Sequence, residues 1–169
     1  MKKALLIFFI FSQPTFYELV LEITKGSDDL YSIAIINFDG SKKISNEIIS
    51  IVRNDLIRTG EFNILQDKQL LSSPANQDEI NYDDFKLLNV DFIVMGVTSL
   101  EDKTNISVSY EIYSVNKKSK IRTSTVYGIP NRLRQLSHYI SDGIYEEVTG
   151  IKGVASTRLL YVTEQIIDS

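Results

Sequence analysis

The sequence predicts an α/β (α+β) fold in which a mixed β-sheet is packed by two main helices. Two segments repeat apolar residues at helical spacing, and several short segments are either continuously apolar or strictly alternating, as strands are. A strand–helix–strand order near the start predicts parallel strands, because a helical crossover returns the chain in the same direction. A hairpin pattern further on predicts antiparallel strands.

The parallel part of the sheet is expected between residues 31 and 65. Residues 31–38 are nearly all apolar, which is typical of a strand covered on both faces. The hydroxyl of Ser41 is expected to cap the next helix, and Gly60 suits the left-handed position that ends it. Residues 62–65 then form the second strand. The apolar stripe of the helix consists of Ile44, Ile48, Ile49, Val52 and Leu56.

The antiparallel part follows a polar surface loop and a short helix at residues 82–88. Residues 90–97 are an apolar strand, and two alternating segments joined by a turn at 116–118 predict a hairpin. Pro130 suits the first turn of a final helix, which Gly150 ends. The apolar stripe of that helix consists of Leu133, Leu136, Ile140, Ile144 and Val148, and residues 157–163 look like one last strand.

Residues 1–17 have the form of a secretory signal peptide. Lys2 and Lys3 precede eight apolar residues, a run too short to cross a bilayer, which takes about 20 residues. A buried strand is the alternative, but the basic start favours export. Cleavage removes two lysines and no acid, so the formal charge falls from −4 to −6 and no transmembrane segment is expected to remain. The cleavage position itself stays open.

Composition argues against several classes of function. The 169 residues, 43% of them hydrophobic, suit one soluble domain. The net charge of −4 argues against a nucleic-acid partner, since such proteins carry a basic face. The sequence has no cysteine and no phosphate-binding glycine loop, so we expect no cofactor. We also expect no metal site, because the acidic pairs at 28–29 and 83–84 fall short of a calcium loop.

The single histidine raises the question of catalysis. His138, Ser141 and Asp142 occur within one predicted helix, whereas a catalytic triad places the imidazole between the nucleophile and the carboxylate. No G-x-S-x-G turn presents the serine. We therefore predict no catalytic residue and expect a surface pair between His138 and Asp142, which are four residues apart on the helix.

Residues 133–153 carry the clearest resemblance to a known family. The string LRQLSHYISDGIYEEVTGIKG, followed by TR at 157–158 and YV at 161–162, closely resembles the TolB family. Shorter matches in the same order at 18–28, 55–63 and 90–96 extend the resemblance over about residues 18–165. Its most specific part consists of Thr149, Gly150, Ile151, Lys152 and Gly153.

The resemblance implies a domain organisation. In this family an amino-terminal domain, similar to anticodon-binding domains, is followed by a six-bladed β-propeller. We therefore expect a partner-binding strand and tether at 18–30, the α/β domain at 31–153 and the start of a truncated propeller at 154–169. The string at 149–153 would be the interdomain hinge. A fragment and a truncated gene product are both compatible with this organisation.

The resemblance also implies a function. In this family the segment after the signal peptide binds the carboxy-terminal domain of TolA, and the propeller binds the lipoprotein Pal. We expect a periplasmic adaptor, not an enzyme, that supports outer-membrane integrity and envelope constriction at division. Pal binding stays open because the propeller is missing. The residues that match the TolA-binding segment are Glu18, Leu19, Val20, Leu21, Glu22, Ile23, Thr24 and Gly26.

Several alternatives remain at this stage. Residues 18–24 alternate apolar and polar side chains, which fits a recognition strand that adds to a partner's sheet or the first strand of the domain's own sheet. The resemblance favours the recognition strand. A second expectation is that residues 159–161 form an exposed apolar patch that makes the domain sticky. Another periplasmic α/β adaptor, such as an activator of cell-wall synthases, and a non-functional TolB remnant are the alternative functions.

Overall fold

The computed structural model describes residues 30–36, 38–102 and 104–157. They form a five-stranded mixed sheet in the order β2-β1-β3-β4-β5. The predicted strand at 18–24 lies outside these residues, as does nearly all of the one predicted at 157–163. The strands are β1 (Tyr31–Ile35), β2 (Phe62–Leu65), β3 (Phe92–Leu100), β4 (Ile106–Ser114) and β5 (Ser119–Gly128), and the helices are α1 (Lys42–Arg58), α2 (Tyr82–Leu87) and α3 (Leu133–Thr149).

The sheet has the two parts that the sequence predicts. β1 pairs in parallel with both β2 and β3, and α1 makes the crossover from β1 to β2. β3, β4 and β5 pair antiparallel, with a tight turn between β4 and β5. The prediction of a mixed α/β sheet with two main helices is therefore confirmed.

The predicted glycines end the two long helices, but the predicted serine cap does not form. Gly60 and Gly150 both have a φ of +74°, the left-handed conformation that ends a helix. Ser41 is the residue before α1, yet its hydroxyl makes no capping hydrogen bond, so that prediction is wrong. Lys42 and Lys43 are exposed, and water can therefore reach the free N–H groups of this first turn.

Two apolar clusters lie on opposite sides of the sheet. The larger one packs α1 and α3 onto the sheet, and we call this the helix side. The smaller one packs α2 and its flanking loop onto β1 and β3, and we call this the α2 side. The central parallel strand β1 is thus covered on both faces, which explains its continuous apolar run. No helix within the described ranges is long and apolar enough to cross a membrane.

Candidate functional site

A largely buried polar cluster joins the two long helices on the helix side. The carboxylate of Asp55 in α1 lies 2.6 Å from Nδ1 of His138 and accepts a hydrogen bond of 2.9 Å from the hydroxyl of Ser141. His138 and Ser141 lie almost one turn apart on α3, so both face α1. The predicted surface pair of His138 with Asp142 is wrong, because the helix phase directs the imidazole to α1 instead.

The geometry of this cluster differs from that of a catalytic triad. Ser141 and His138 meet the same oxygen of Asp55, whereas a triad serine bonds the second imidazole nitrogen. The cluster therefore links one helix to the other and differs from a triad in the partner of its serine hydroxyl. Among the residues that the structure describes, no group of three or more acidic, histidine or cysteine side chains could hold a metal ion.

Asp142 makes a second contact, which anchors the segment after α3. Its carboxylate accepts hydrogen bonds from the backbone N–H groups of Ala155 at 2.6 Å and Ser156 at 2.9 Å. Gly153 packs so closely on Asp142 that an added Cβ would lie 2.5 Å from its backbone. Only glycine fits at this position, so the anchored path of the segment depends on Gly153.

The five residues of the predicted hinge form the turn between α3 and this anchored segment. The hydroxyl of Thr149 donates to the carbonyl of Tyr145 at 2.7 Å and accepts from the N–H of Ile151 at 3.1 Å. Gly150 supplies the left-handed turn, while Ile151 and Lys152 are exposed. The turn sends the chain back along α3, where Asp142 holds it.

A tyrosine on α3 connects this end of the molecule to the start of β1. The Tyr145 hydroxyl donates to Glu61 at 2.9 Å, and its ring packs on Phe62, which in turn packs on Tyr31. Burial and the hydrogen bond to Glu61 raise the pKa of Tyr145. Residue 30 therefore joins the domain beside the carboxy-terminal part of α3. Sequence reasoning missed this link, because nothing in the spacing connects residues 84 positions apart.

These contacts surround a cleft of about 610 Å³ between α1, α3 and the anchored segment. We call it the α1–α3 cleft. Its wall combines the polar cluster with apolar and cationic side chains. The residues that line it are Asp55, Leu56, Arg58, Thr59, Arg134, His138, Ser141, Asp142, Tyr145, Ile151, Lys152, Val154 and Ala155.

Comparison with known families identifies the fold. The family model described as the TolB amino-terminal domain matches residues 19–121, more than half of the chain. The chain belongs to the TolB family. The match begins within the segment predicted to bind TolA, whose eight named residues, Glu18 to Gly26, lie outside the described ranges. Their role therefore stays a prediction.

Individual TolB proteins match over most of this chain but over only a part of their own length. "Tol-Pal system protein TolB" of Alcanivorax borkumensis is 36% identical over 152 residues, which are 90% of this chain and 35% of that protein. The protein of the same name from Pseudomonas aeruginosa is 33% identical over 86% of this chain and 34% of its own length. The chain thus spans about a third of the length of the curated relatives it matches.

A solved TolB structure supports the same assignment. The crystal structure of TolB from Acinetobacter baumannii superposes with a TM-score of 0.66 at 29% identity, covering 76% of this chain and 31% of the other. The TolB-like α/β fold expected from the sequence is therefore confirmed.

Proposed function

We propose that this chain is a periplasmic adaptor of the Tol-Pal system and binds the carboxy-terminal domain of TolA through residues 18–26. The observation that carries the proposal is the 36% identity to a Tol-Pal system protein TolB over 152 residues. Export by residues 1–17 would deliver the chain to the periplasm, where it supports outer-membrane integrity and envelope constriction. The adaptor acts by binding and catalyses no reaction.

The proposed mechanism is the addition of a β-strand to the partner. An extended segment gains affinity from main-chain hydrogen bonds to an exposed sheet edge and specificity from alternate side chains. Leu19, Leu21 and Ile23 would fill apolar pockets on TolA, and Gly26 would give the segment its freedom to turn. The segment joins the domain at Leu30, next to the Tyr31–Phe62–Tyr145 contacts on the helix side. The folded domain thus presents the strand from a packed base.

The turn at 149–153 has a proposed role of its own. Thr149, Gly150 and Gly153 would set the direction in which the chain leaves the α/β domain, as an interdomain hinge must. In longer TolB proteins, a second domain would then follow at a defined angle. Pal binding is not part of the proposal, because in this family it belongs to the propeller.

Calorimetric titration of the exported chain with the TolA carboxy-terminal domain tests the main proposal. Deleting residues 18–26 should abolish binding. Replacing Leu19, Leu21 and Ile23 together by serine should weaken it by at least about tenfold, since three apolar side chains lose their pockets. The matched control replaces Val20, Glu22 and Thr24, on the other face of the strand, and should retain more of the affinity. An unchanged affinity after the deletion would refute the mechanism, and no binding by the intact chain would identify a non-functional remnant.

A further inference from the structure

The α1–α3 cleft carries three cations that have no acidic partner among the residues that the structure describes. Arg58, Arg134 and Lys152 come from three different elements and all line the cleft. They are exposed, and none forms an ion pair with an acid in the described ranges. Arg58 has a local role in the last turn of α1, where a cation offsets the helix dipole, but Arg134 lies in the first turn of α3, where the dipole disfavours one.

The acids of the cleft are already engaged by the chain itself. Asp55 is bound by His138 and Ser141, and Asp142 is bound by two backbone N–H groups. Neither carboxylate forms an ion pair with any of the three cations. The three cations outnumber these two carboxylates, so the cleft carries an excess of positive charge on a chain whose formal net charge is −4. A visiting group with the opposite charge would find a complementary site.

Apolar side chains flank these cations at the rim. Ile151 is 58% exposed and Val154 is 70% exposed, on either side of Lys152 and Gly153. Two large aliphatic residues so exposed gain free energy when a partner covers them. The rim is also held in place, because Asp142 anchors Ala155 and Ser156, and a preformed site loses less conformational entropy on binding.

We infer that the α1–α3 cleft is a docking site for an acidic segment of a partner protein that also carries large apolar side chains. Its carboxylates pair with Arg58, Arg134 and Lys152, and its apolar side chains cover Ile151 and Val154. The residues of this surface are not those proposed to bind TolA, so the cleft gives the domain a second contact. The inference does not depend on TolA binding.

A random twelve-residue peptide display library, selected on the intact exported chain, tests this surface. Enriched sequences should combine Asp or Glu with Leu, Ile or Phe, and the synthetic form of the most enriched peptide is then titrated by fluorescence anisotropy. Affinity should fall at least about tenfold from about 50 mM to about 500 mM salt, because the charges are screened. Enrichment of neutral or basic peptides, or of none, would overturn the inference.

Two variants of equal charge locate the binding. The first carries Arg58→Gln, Arg134→Gln and Lys152→Gln and should lose at least about tenfold in affinity for that peptide. The control carries Lys43→Gln, Lys86→Gln and Lys117→Gln, three exposed lysines away from the cleft, and should stay within about twofold. An equal loss of affinity in both variants would show that binding depends only on net charge, and it would contradict a specific site. Both variants should bind the TolA domain with unchanged affinity. A failure of one proposal can therefore be distinguished from a failure of the other.

Two further measurements exclude other occupants. Removing residues 18–29 should leave the affinity for the selected peptide unchanged, and a gain of about tenfold would show that the chain's own acidic segment fills the cleft. Vesicles of mixed phosphatidylcholine and phosphatidylglycerol should bind the intact chain and the cleft variant equally weakly. Strong vesicle binding that the cleft variant loses would assign the cations to a membrane surface and contradict the inference.

Discussion

The two sides of the sheet are covered in different ways. On the helix side, α1 and α3 each contribute 17 residues and pack over most of the sheet. On the α2 side, a helix of six residues and its loop cover β1 and part of β3. Val97 and Tyr127 on the distal part of that face are 47% and 70% exposed. The helix side is therefore the more completely packed of the two.

The polar contacts are also more buried on the helix side than on the α2 side. In the helix-side cluster Asp55 and Ser141 are buried and His138 is 20% exposed, whereas both members of the Asp83–Lys118 ion pair on the α2 side are largely exposed. Buried polar contacts fix geometry more strictly, because an unpaired member is costly away from water. The start of β1 and the turn at 149–153 both attach to the helix side. The comparison indicates that the first residues of β1 and the turn at 149–153 both attach to the more completely packed layer.

The largest expected effect comes from truncating a buried isoleucine on each side. Ile140 on the helix side is fully buried, and Ile140→Ala should lower the free energy of unfolding by about 3–4 kcal/mol through lost burial and a cavity. Ile80, on the α2 side, is 8% exposed and lies after a short turn that can collapse, so Ile80→Ala should cost about 2 kcal/mol. Urea unfolding measures both. An equal or larger loss of stability in Ile80→Ala would contradict the conclusion that the helix side is the more completely packed.

The next effect concerns one acid on each side. Asp55→Asn should destabilise the domain by about 2 kcal/mol, since charge-assisted hydrogen bonds from His138 and Ser141 are weakened. The matched Asp83→Asn removes an exposed ion pair with Lys118 and should leave stability unchanged within error. Thermal unfolding of the two variants under the same buffer provides the test. An Asp55→Asn domain as stable as the unsubstituted domain would show that the polar cluster does not hold α1 against α3.

A smaller and local effect is expected at the anchored segment. Asp142→Ala removes the acceptor of the Ala155 and Ser156 N–H groups, so their hydrogen exchange should accelerate by about tenfold. Glu147→Ala, on the same helix, removes only the ion pair with Arg122 and should leave these two amides unaffected. Unaltered exchange in Asp142→Ala would mean that the turn at 149–153 holds the segment without help.

The smallest effect is a pH dependence in the turn between β3 and β4. Hydrogen bonds from Thr104 and Asn105 lower the pKa of Asp102 to about 2. A lowered pKa means that the ionised form stabilises the folded state, fully above pH 3.8 and progressively less as the pH falls towards 2. NMR titration of the Asp102 carboxyl should give a midpoint near 2, and Thr104→Ala should raise it. A midpoint at or above 3.8 would show that these hydrogen bonds do not form in solution.

Strands and helices could be predicted from the sequence because their apolar spacing is local. The limits of β2 and the glycines at 60 and 150 follow directly from that pattern. The partners of Asp55 and Asp142 could not be predicted, because they depend on how α3 is rotated against α1 and on the path of the chain after Gly150. His138 illustrates the difference, since its spacing indicates Asp142 and its contact is with Asp55. The cleft was missed for the same reason.

Hydrogen exchange of residues 18–26, measured by mass spectrometry with and without the TolA carboxy-terminal domain, tests the central claim most directly. The account predicts that adding TolA slows exchange in these residues by at least about tenfold, because their N–H groups join the partner's sheet. The amides of β1 provide the internal reference and should not change. Equally slow exchange in both states would place the segment in the domain's own sheet and contradict the adaptor mechanism.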